Sequence, residues 1–166
     1  MKISGINYES IVDGPGVRLV VYVSGCKHHC EGCHNPSTFD FNSGIDFTPE
    51  VQDQLINYLT EHSYISGLTI SGGDPMYNGA QVAQFIYFVK KYKPDISVWL
   101  YTGFKWEEII NHPEMRHLAI KCDIIVDGPF VLDERDISVA FRGSRNQRII
   151  DVQQSLATGK VIELSY

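Results

Sequence analysis

The sequence predicts an α/β fold, a mostly parallel sheet of five or six strands arranged as a partial, incomplete β/α barrel. Patterns of buried strands alternate with patterns of amphipathic helices along the chain. The 166 residues correspond to one domain, which we take to span residues 1–166. A complete eight-stranded barrel needs about 250 residues, so this chain is too short to close one.

The first half of the chain is predicted to contain two strands separated by a helix. Residues 17–23 are rich in β-branched and aromatic side chains, as expected for a buried strand. A helix begins where Thr48 can act as N-cap and Pro49 occupies the first helical position. Residues 67–71 form the next strand, which ends at a Gly-Gly-Asp-Pro turn, residues 72–75.

The second half continues the alternation. A helix that ends near Lys93 carries apolar side chains on one face, namely Val82, Phe85, Ile86 and Val89. Residues 96–101 are predicted to form a strand, followed by a short helix that ends before Pro113. Residues 122–126 and 148–152 are predicted to form the last two strands.

Charge and hydropathy exclude several classes of protein. The net charge is −6, whereas nucleic-acid-binding modules carry a basic surface, so we expect no nucleic-acid partner. No apolar run approaches the roughly 18 residues of a membrane span, and the N-terminus lacks the apolar core of a signal peptide. We therefore expect a cytoplasmic protein with no membrane partner, in which clustered cysteines serve metal or redox chemistry.

Three cysteines form the strongest motif in the sequence. Cys26, Cys30 and Cys33 have the spacing Cys-x3-Cys-x2-Cys, and their soft sulfur atoms favour an iron–sulfur cluster, zinc or copper(I). A 4Fe–4S cluster has four irons, and electron carriers usually saturate all of them with four cysteines. Three ligands leave one iron with an open position, where a substrate can coordinate.

A zinc site is the alternative that the spacing leaves open. Its fourth ligand would be His28, His29 or His34, but the usual zinc signatures have two separated pairs of ligands and this chain has no second pair. Cys122 stands alone in an apolar strand and is expected to be a core residue. The pattern therefore favours the iron–sulfur cluster.

Four loops are expected to meet at one edge of the sheet. Cys26 follows directly after a predicted strand, and residues 72–75, 101–103 and 127–128 each follow another. Ligand sites in parallel α/β folds collect at the carboxyl ends of the strands. The four loops should therefore face one cavity.

These motifs resemble those of the radical S-adenosylmethionine (SAM) enzymes. The three-cysteine motif marks that superfamily, and residues 72–75 and 142–147 (Arg-Gly-Ser-Arg-Asn-Gln) resemble one branch of it. That branch is the glycyl-radical activating enzymes that serve anaerobic ribonucleoside-triphosphate reductases. The resemblance covers nearly the whole chain, through residues 13–18, 23–35, 67–75, 99–103, 126–128 and 142–148. One departure is His34, where many members have Tyr.

The resemblance implies a partial barrel of the radical SAM type that holds a 4Fe–4S cluster on Cys26, Cys30 and Cys33. SAM would chelate the open iron, accept one electron and break into methionine and a 5′-deoxyadenosyl radical. The radical would remove hydrogen from a backbone glycine of the large subunit of anaerobic ribonucleoside-triphosphate reductase. A one-electron donor such as reduced flavodoxin would supply the electron.

The same reading assigns SAM-binding residues in two places. Gly32, Cys33 and His34 would lie next to the open iron, with the His34 ring and the backbone of residues 32–34 near the adenine. The alternative for His34 is a loop residue with no partner.

The other SAM contacts are expected at the strand ends. Gly72 and Gly73 lack Cβ atoms and would let the ligand approach the backbone, and Asp74 would accept a hydrogen bond from the SAM ammonium. Thr102 and Asp127 are candidates for the ribose hydroxyls. A plain turn at residues 72–75 and ordinary strand ends at Thr102 and Asp127 are the alternatives.

The sequence also allows two other functions, and it allows more than one role for each of two segments. The chain would alternatively be a radical SAM enzyme that acts on a small molecule, or a non-enzymatic iron–sulfur or zinc module. Residues 27–29 between the cysteines fit a solvated loop face, a contact with a partner or a group that raises the cluster potential. Residues 142–148 fit either a surface turn or a grip on a carboxylate or phosphate.

Overall fold

The computed structural model describes all residues 1–166, and its centre is one seven-stranded sheet in the order β3-β1-β2-β4-β5-β6-β7. The strands are β1 (Lys2–Ser10), β2 (Arg18–Val23), β3 (Ile45–Asp46), β4 (Gly67–Gly72), β5 (Ser97–Tyr101), β6 (Ile124–Asp127) and β7 (Arg148–Asp151). The α-helices are α1 (Pro49–Glu61), α2 (Gly79–Tyr92), α3 (Trp106–Asn111), α4 (Pro113–Ala119) and α5 (Val152–Thr158). No helix is both long enough and apolar enough to cross a membrane.

The middle of the sheet is parallel and its margins are antiparallel. Strands β2, β4, β5 and β6 run parallel to one another, whereas β1, β3 and β7 pair antiparallel. The predicted α/β class is therefore confirmed, with a sheet that is parallel only in its middle, because three of its six strand pairings are antiparallel. The predicted number of five or six strands is wrong, because the sheet has seven.

The sequence does not predict strands β1 and β3, because neither has a clear alternation of buried and exposed side chains. The pairing of β1 with β2 contains two register shifts, between Ile3 and Gly5 and between Asn7 and Ser10. Such bulges break the alternation of buried and exposed side chains by which a strand is recognised. Strand β3 has only two residues, and both are exposed.

Strand β7 lies where a strand was predicted, but it runs antiparallel to β6. Residues 128–147 connect the two strands and contain no α-helix. A parallel neighbour needs a crossover connection, usually a helix, whereas an antiparallel neighbour does not. The alternation of strand and helix ends at β6 for this reason.

The helices begin and end largely where caps and prolines indicate. The Thr48 side chain accepts a hydrogen bond from the Val51 amide, so the predicted start of α1 is confirmed. The predicted short helix is α3, which ends at Asn111. The sequence predicts only that the short helix ends before Pro113. In the structure Pro113 also begins α4, because proline is well accommodated at the first helical position.

All five helices pack on one face of the sheet. The main hydrophobic core joins that face to helix residues such as Leu55, Val82, Leu118 and Val152. The other face carries a small apolar cluster of Trp99, Ile124, Val126 and Ile149. The sheet therefore has one face covered by helices and a second face whose apolar cluster is buried by segments outside the helices, which include Phe141 and Leu164.

A buried arginine fixes the amino ends of three strands on the face without helices. Arg18 is 1% exposed and lies with its guanidinium carbon 5.4 Å from the centroid of the Trp99 ring. It donates to the Thr69 hydroxyl and to the carbonyl oxygens of Leu68 and Ser97. Burial lowers the Arg18 pKa to about 10. Strands β2, β4 and β5 are thus tied together at the end opposite the cysteines.

Candidate functional site

The cysteine loop leaves β2 and folds back along its own chain. The Gly25 amide donates to the Thr38 carbonyl, and the Cys26 amide donates to the Phe39 carbonyl. Gly25 has φ +100°, and a Cβ there would lie 2.2 Å from the Phe41 ring. Only glycine accommodates both the left-handed backbone and the close ring, so the sequence starts the loop at this residue.

The three cysteines line one cavity of about 190 Å³. Cys26 is buried and Cys30 and Cys33 are half-buried, and none of the three forms a disulfide. Burial raises the pKa of Cys26. The other walls come from residues 71–74 and 101–103 and from Gly128, so all four predicted loops meet at this cavity.

The donor set fits an iron–sulfur cluster in kind and number. Three free thiols lie within eight residues on one loop, and sulfur is the ligand that iron–sulfur clusters use. No three His, Cys, Asp or Glu side chains are close enough together to form a metal site in this structure. The thiols thus share a cavity, and the ligand geometry would be completed when a cluster draws them together.

The histidines near the cysteines have separate surroundings. His28 forms a hydrogen bond with Asp74, His29 packs edge-on against Phe39, and His34 lines the cavity. His28 also lines the cavity, but its Nε2 is already bonded to Asp74, so of the two histidines on the cavity wall only His34 has no protein partner for its ring.

Asp74 is the most heavily bonded side chain of the site. It is 1% exposed and accepts hydrogen bonds from the Met76 amide at 2.9 Å, the Thr102 hydroxyl at 2.9 Å and the Gly103 amide at 2.9 Å. His28 Nε2 lies 2.8 Å from its Oδ2, and this bond raises the pKa of His28. The carboxylate joins the cysteine loop to the ends of β4 and β5.

The two glycines before Asp74 allow β2 and β4 to meet. A Cβ at Gly73 would lie 2.5 Å from the Gly25 oxygen, and one at Gly72 would lie 2.6 Å from the Val23 nitrogen. The Gly73 amide donates to the Val23 carbonyl at 2.7 Å, and the Asp74 amide donates to the Gly25 carbonyl at 2.9 Å. Close backbone packing therefore requires these glycines before any ligand is considered.

Of the two candidates for binding the ribose hydroxyls, Thr102 and Asp127, only the first lies at the cavity. Thr102 lines the cavity, and its hydroxyl donates to Asp74. Asp127 is 1% exposed and is not among the residues that line the cavity. Its carboxylate accepts from the Trp106 amide at 2.7 Å and from Arg148 Nε at 3.0 Å. Asp127 joins β6 to α3 and β7, and its oxygens do not face the cavity.

Residues 142–148 contribute to another part of the cavity wall. Gln147 Oε1 accepts from the amides of Gly143 and Ser144, and its Nε2 donates to the Gly128 carbonyl. Gly143 and Gln147 line the cavity, although sequence reasoning did not name either of them as a site residue. The sequence motif at residues 142–148 indicates a functional segment, but it does not reveal which of these residues line the cavity.

Gly32 lies where the cysteine loop approaches the segment that follows β6. Its φ is +69°, and a Cβ there would lie 2.8 Å from Leu132 Cδ1. The next two residues, Cys33 and His34, both line the cavity. Gly32 thus makes the turn that presents them.

A second, apolar groove of about 500 Å³ adjoins the cysteine cavity and shares His34 and Tyr101 with it. Its exposed rim includes Ile137 at 92%, Ile11 at 72% and Val12 at 71%. Arg142 also lines the groove, and its buried Nε has no hydrogen-bond partner. The cavity is therefore open on one side toward an apolar surface.

Comparison with known proteins places this site in a family. A family model described as a 4Fe-4S single cluster domain matches residues 12–150. The anaerobic ribonucleoside-triphosphate reductase-activating protein of Enterobacteria phage T4 is 38% identical over 153 residues, which cover 87% of this chain and 93% of the relative.

Two bacterial relatives with the same name are about as similar. The Escherichia coli K12 protein is 39% identical over 140 residues, covering 82% of this chain and 90% of its own length. The Vibrio cholerae protein is 39% identical over 142 residues, covering 84% and 90%. Together with the three cysteines at the shared cavity, these matches show that the chain belongs to the anaerobic ribonucleoside-triphosphate reductase-activating proteins and contains a 4Fe-4S domain.

Proposed function

We propose that this chain activates an anaerobic ribonucleoside-triphosphate reductase by SAM-dependent formation of a glycyl radical on the large subunit of that enzyme. The observation that carries the proposal is the meeting of three free thiols of a 4Fe-4S domain in one cavity, at the carboxyl ends of parallel strands. The names of the relatives supply the partner.

Cys26, Cys30 and Cys33 would hold the cluster and leave its fourth iron free for SAM. When bound, the cluster supplies one electron, from a donor such as reduced flavodoxin, for reductive cleavage of SAM into methionine and a 5′-deoxyadenosyl radical. The role of this chain's residues is to bind, orient and shield the reactants. This reading favours the iron–sulfur cluster over the zinc site that the spacing left open.

The strand ends would bind SAM. Residues 72–74 and 101–103 border the cavity beside the thiols, and the buried Asp74 carboxylate gives this wall a negative charge that favours an ammonium group. Because protein donors already hold both oxygens of Asp74, it would attract the ammonium mainly through its field. Gly32, Cys33 and His34 would flank the adenine, and Thr102 is retained as a ribose contact. Asp127 is not, because its carboxylate is bonded elsewhere.

The sheet would form the incomplete β/α barrel of the radical SAM type. Its helices cover one face only, and its two edge strands, β3 and β7, are not paired with each other. One side of the barrel therefore stays open. A carbon radical formed there reacts with solvent or with the protein unless the site is sealed.

The apolar groove is where a segment of the reductase would complete the wall. It is continuous with the cysteine cavity through His34 and Tyr101, and its rim exposes Ile11 and Ile137. A glycine-bearing segment suits this position because glycine has no side chain to block access to its Cα. Hydrogen transfer from that Cα would convert the radical to 5′-deoxyadenosine and leave the unpaired electron on the glycine.

Anaerobic reconstitution of the cluster tests the proposal. Wild-type protein should bind iron and sulfide, absorb as a brown iron–sulfur protein, and release 5′-deoxyadenosine and methionine when SAM and a strong reductant are added. Cys26→Ala should do none of these, whereas Cys122→Ala is the matched control and should retain all of them. A wild-type protein that binds zinc in preference to iron, or that leaves SAM intact, would contradict the proposal.

A further inference from the structure

One side chain of the cysteine loop, that of His28, forms a hydrogen bond with the carboxyl edge of the sheet. This residue lies between Cys26 and Cys30, and its ring is directed toward the sheet. Its Nε2 is 2.8 Å from Oδ2 of Asp74, which follows β4. The side chain of His28 is 19% exposed and that of Asp74 is 1% exposed, so the bond is largely shielded from water.

The loop after β5 is shaped to receive the His28 ring. A Cβ at Gly103 would lie 2.6 Å from the ring, so this position has no room for a side chain. The Phe104 ring packs edge-on against His28, with 4.6 Å between the centroids. The Gly103 amide donates to the same Asp74 oxygen that binds His28. The ring therefore fills a fitted place between the ends of β4 and β5.

The two neighbours of His28 make no comparable contact. Lys27 is exposed and lies over the faces of Phe41 and Tyr77. His29 is exposed and has its ring against Phe39, another residue of the cysteine loop region. Of the three residues that separate the first two cysteines, only His28 forms a side-chain hydrogen bond with a residue outside the cysteine loop.

We propose that His28 is a positioning residue that docks the cysteine loop onto the sheet through Asp74 and so keeps Cys26 and Cys30 at the cavity before a cluster binds. Asp74 serves the same purpose from the other side, since its carboxylate binds the ends of β4 and β5 as well. The inference goes beyond the proposed function, and it rests on that function only for the cluster measurement below.

The first test uses hydrogen exchange on protein without a cluster. His28→Phe keeps an aromatic ring but removes the bond to Asp74, His28→Gln restores a donor at the same reach, and His29→Phe is the matched control. Loss of a bond to a charged group predicts that the amides of Cys26 and Cys33, the two in the loop that donate backbone hydrogen bonds, exchange about ten- to hundredfold faster in His28→Phe. His28→Gln and His29→Phe should exchange as the wild type does.

The second test follows the cluster itself. After anaerobic reconstitution, His28→Phe should lose iron to a ferrous chelator about tenfold faster than the wild type, with rescue in His28→Gln. Exchange of the amides of β2, β4 and β5 shows whether each variant is folded. Wild-type loop exchange in His28→Phe, or an equal effect in His29→Phe, would overturn the inference. Failure of wild-type protein to cleave SAM would refute the proposed function but leave the exchange result standing.

Discussion

The environment of Asp74 changes the interpretation of its motif. A Gly-Gly-Asp-Pro loop beside three cysteines predicts a carboxylate that is free to bind an ammonium group. In the structure both oxygens are already bonded, to Met76, Thr102, Gly103 and His28. A buried carboxylate with this many donors acts first on the architecture of the site, and through it on the ligands.

Asp74→Asn should therefore weaken the fold as well as the site. The asparagine Oδ1 still accepts, but its Nδ2 cannot, so at least one buried donor loses its partner, at a cost of about 1–3 kcal/mol. We expect a melting temperature lower by about 2–12 °C, measured by calorimetry. We also expect roughly tenfold weaker SAM binding by the reconstituted protein. Wild-type stability with weaker SAM binding would restore the direct-ligand role.

Cys122 should differ from the other cysteines in reactivity. It is fully buried, and burial raises its pKa to about 12, so almost no thiolate forms at pH 8. In cluster-free native protein, iodoacetamide should modify Cys30 and Cys33 within minutes to hours and spare Cys122, as read by mass spectrometry. The same reagent in guanidinium should modify all four cysteines. Rapid native labelling of Cys122 would contradict its place in the core.

Among the secondary-structure elements, β6, α3 and β7 are held together by one carboxylate. Asp127 ends β6, accepts from the first amide of α3 and pairs with Arg148 at the start of β7. Arg148 also binds Glu107, and the two carboxylates raise its pKa. The sequence suggests a ribose contact here because Asp127 follows a strand, but only the fold shows that its partners are already present.

Asp127→Ala should destabilise the protein by about 3 kcal/mol. The substitution removes one partner of a buried ion pair and leaves the Trp106 amide unpaired, while Arg148 keeps Glu107 and so limits the loss. Denaturant unfolding measures the difference. The matched variant Asp136→Ala removes a pair between a half-buried Asp and the exposed Arg145 and should change stability by less than about 1 kcal/mol. Equal effects of the two substitutions would argue against this role of Asp127.

The elements that carry local signals were predictable, and those that depend on distant pairing were not. Thr48 and Pro49 begin α1 through a cap and a fixed φ angle, both of which are properties of the local sequence. Strand β1 escaped notice because its bulges are set by its pairing with β2. For the site, the cysteines and the four loops follow from the sequence, whereas the bond from His28 to Asp74 spans 46 positions and requires the fold.

At the scale of the whole molecule, the apolar groove beside the cysteine cavity is the surface that we propose for docking of the reductase large subunit. Ile137→Asp should weaken binding of the reductase large subunit about tenfold, because it places a charge on the rim of the apolar groove. The free energy of unfolding of the Ile137→Asp variant should be unchanged, since the Ile137 side chain is 92% exposed. Tyr87→Asp, on the outer surface of α2, is the control. Equal binding by both variants would place the reductase on a different surface.

The central claim is that this chain forms a radical on a glycine of another protein. Electron spin resonance tests it directly, on reconstituted protein incubated anaerobically with SAM, a reductant and the reductase large subunit. The account predicts an organic-radical doublet that disappears when the radical-bearing glycine of the reductase is replaced by alanine. A doublet that survives this replacement, or full SAM cleavage supported by a small molecule alone, would contradict the account.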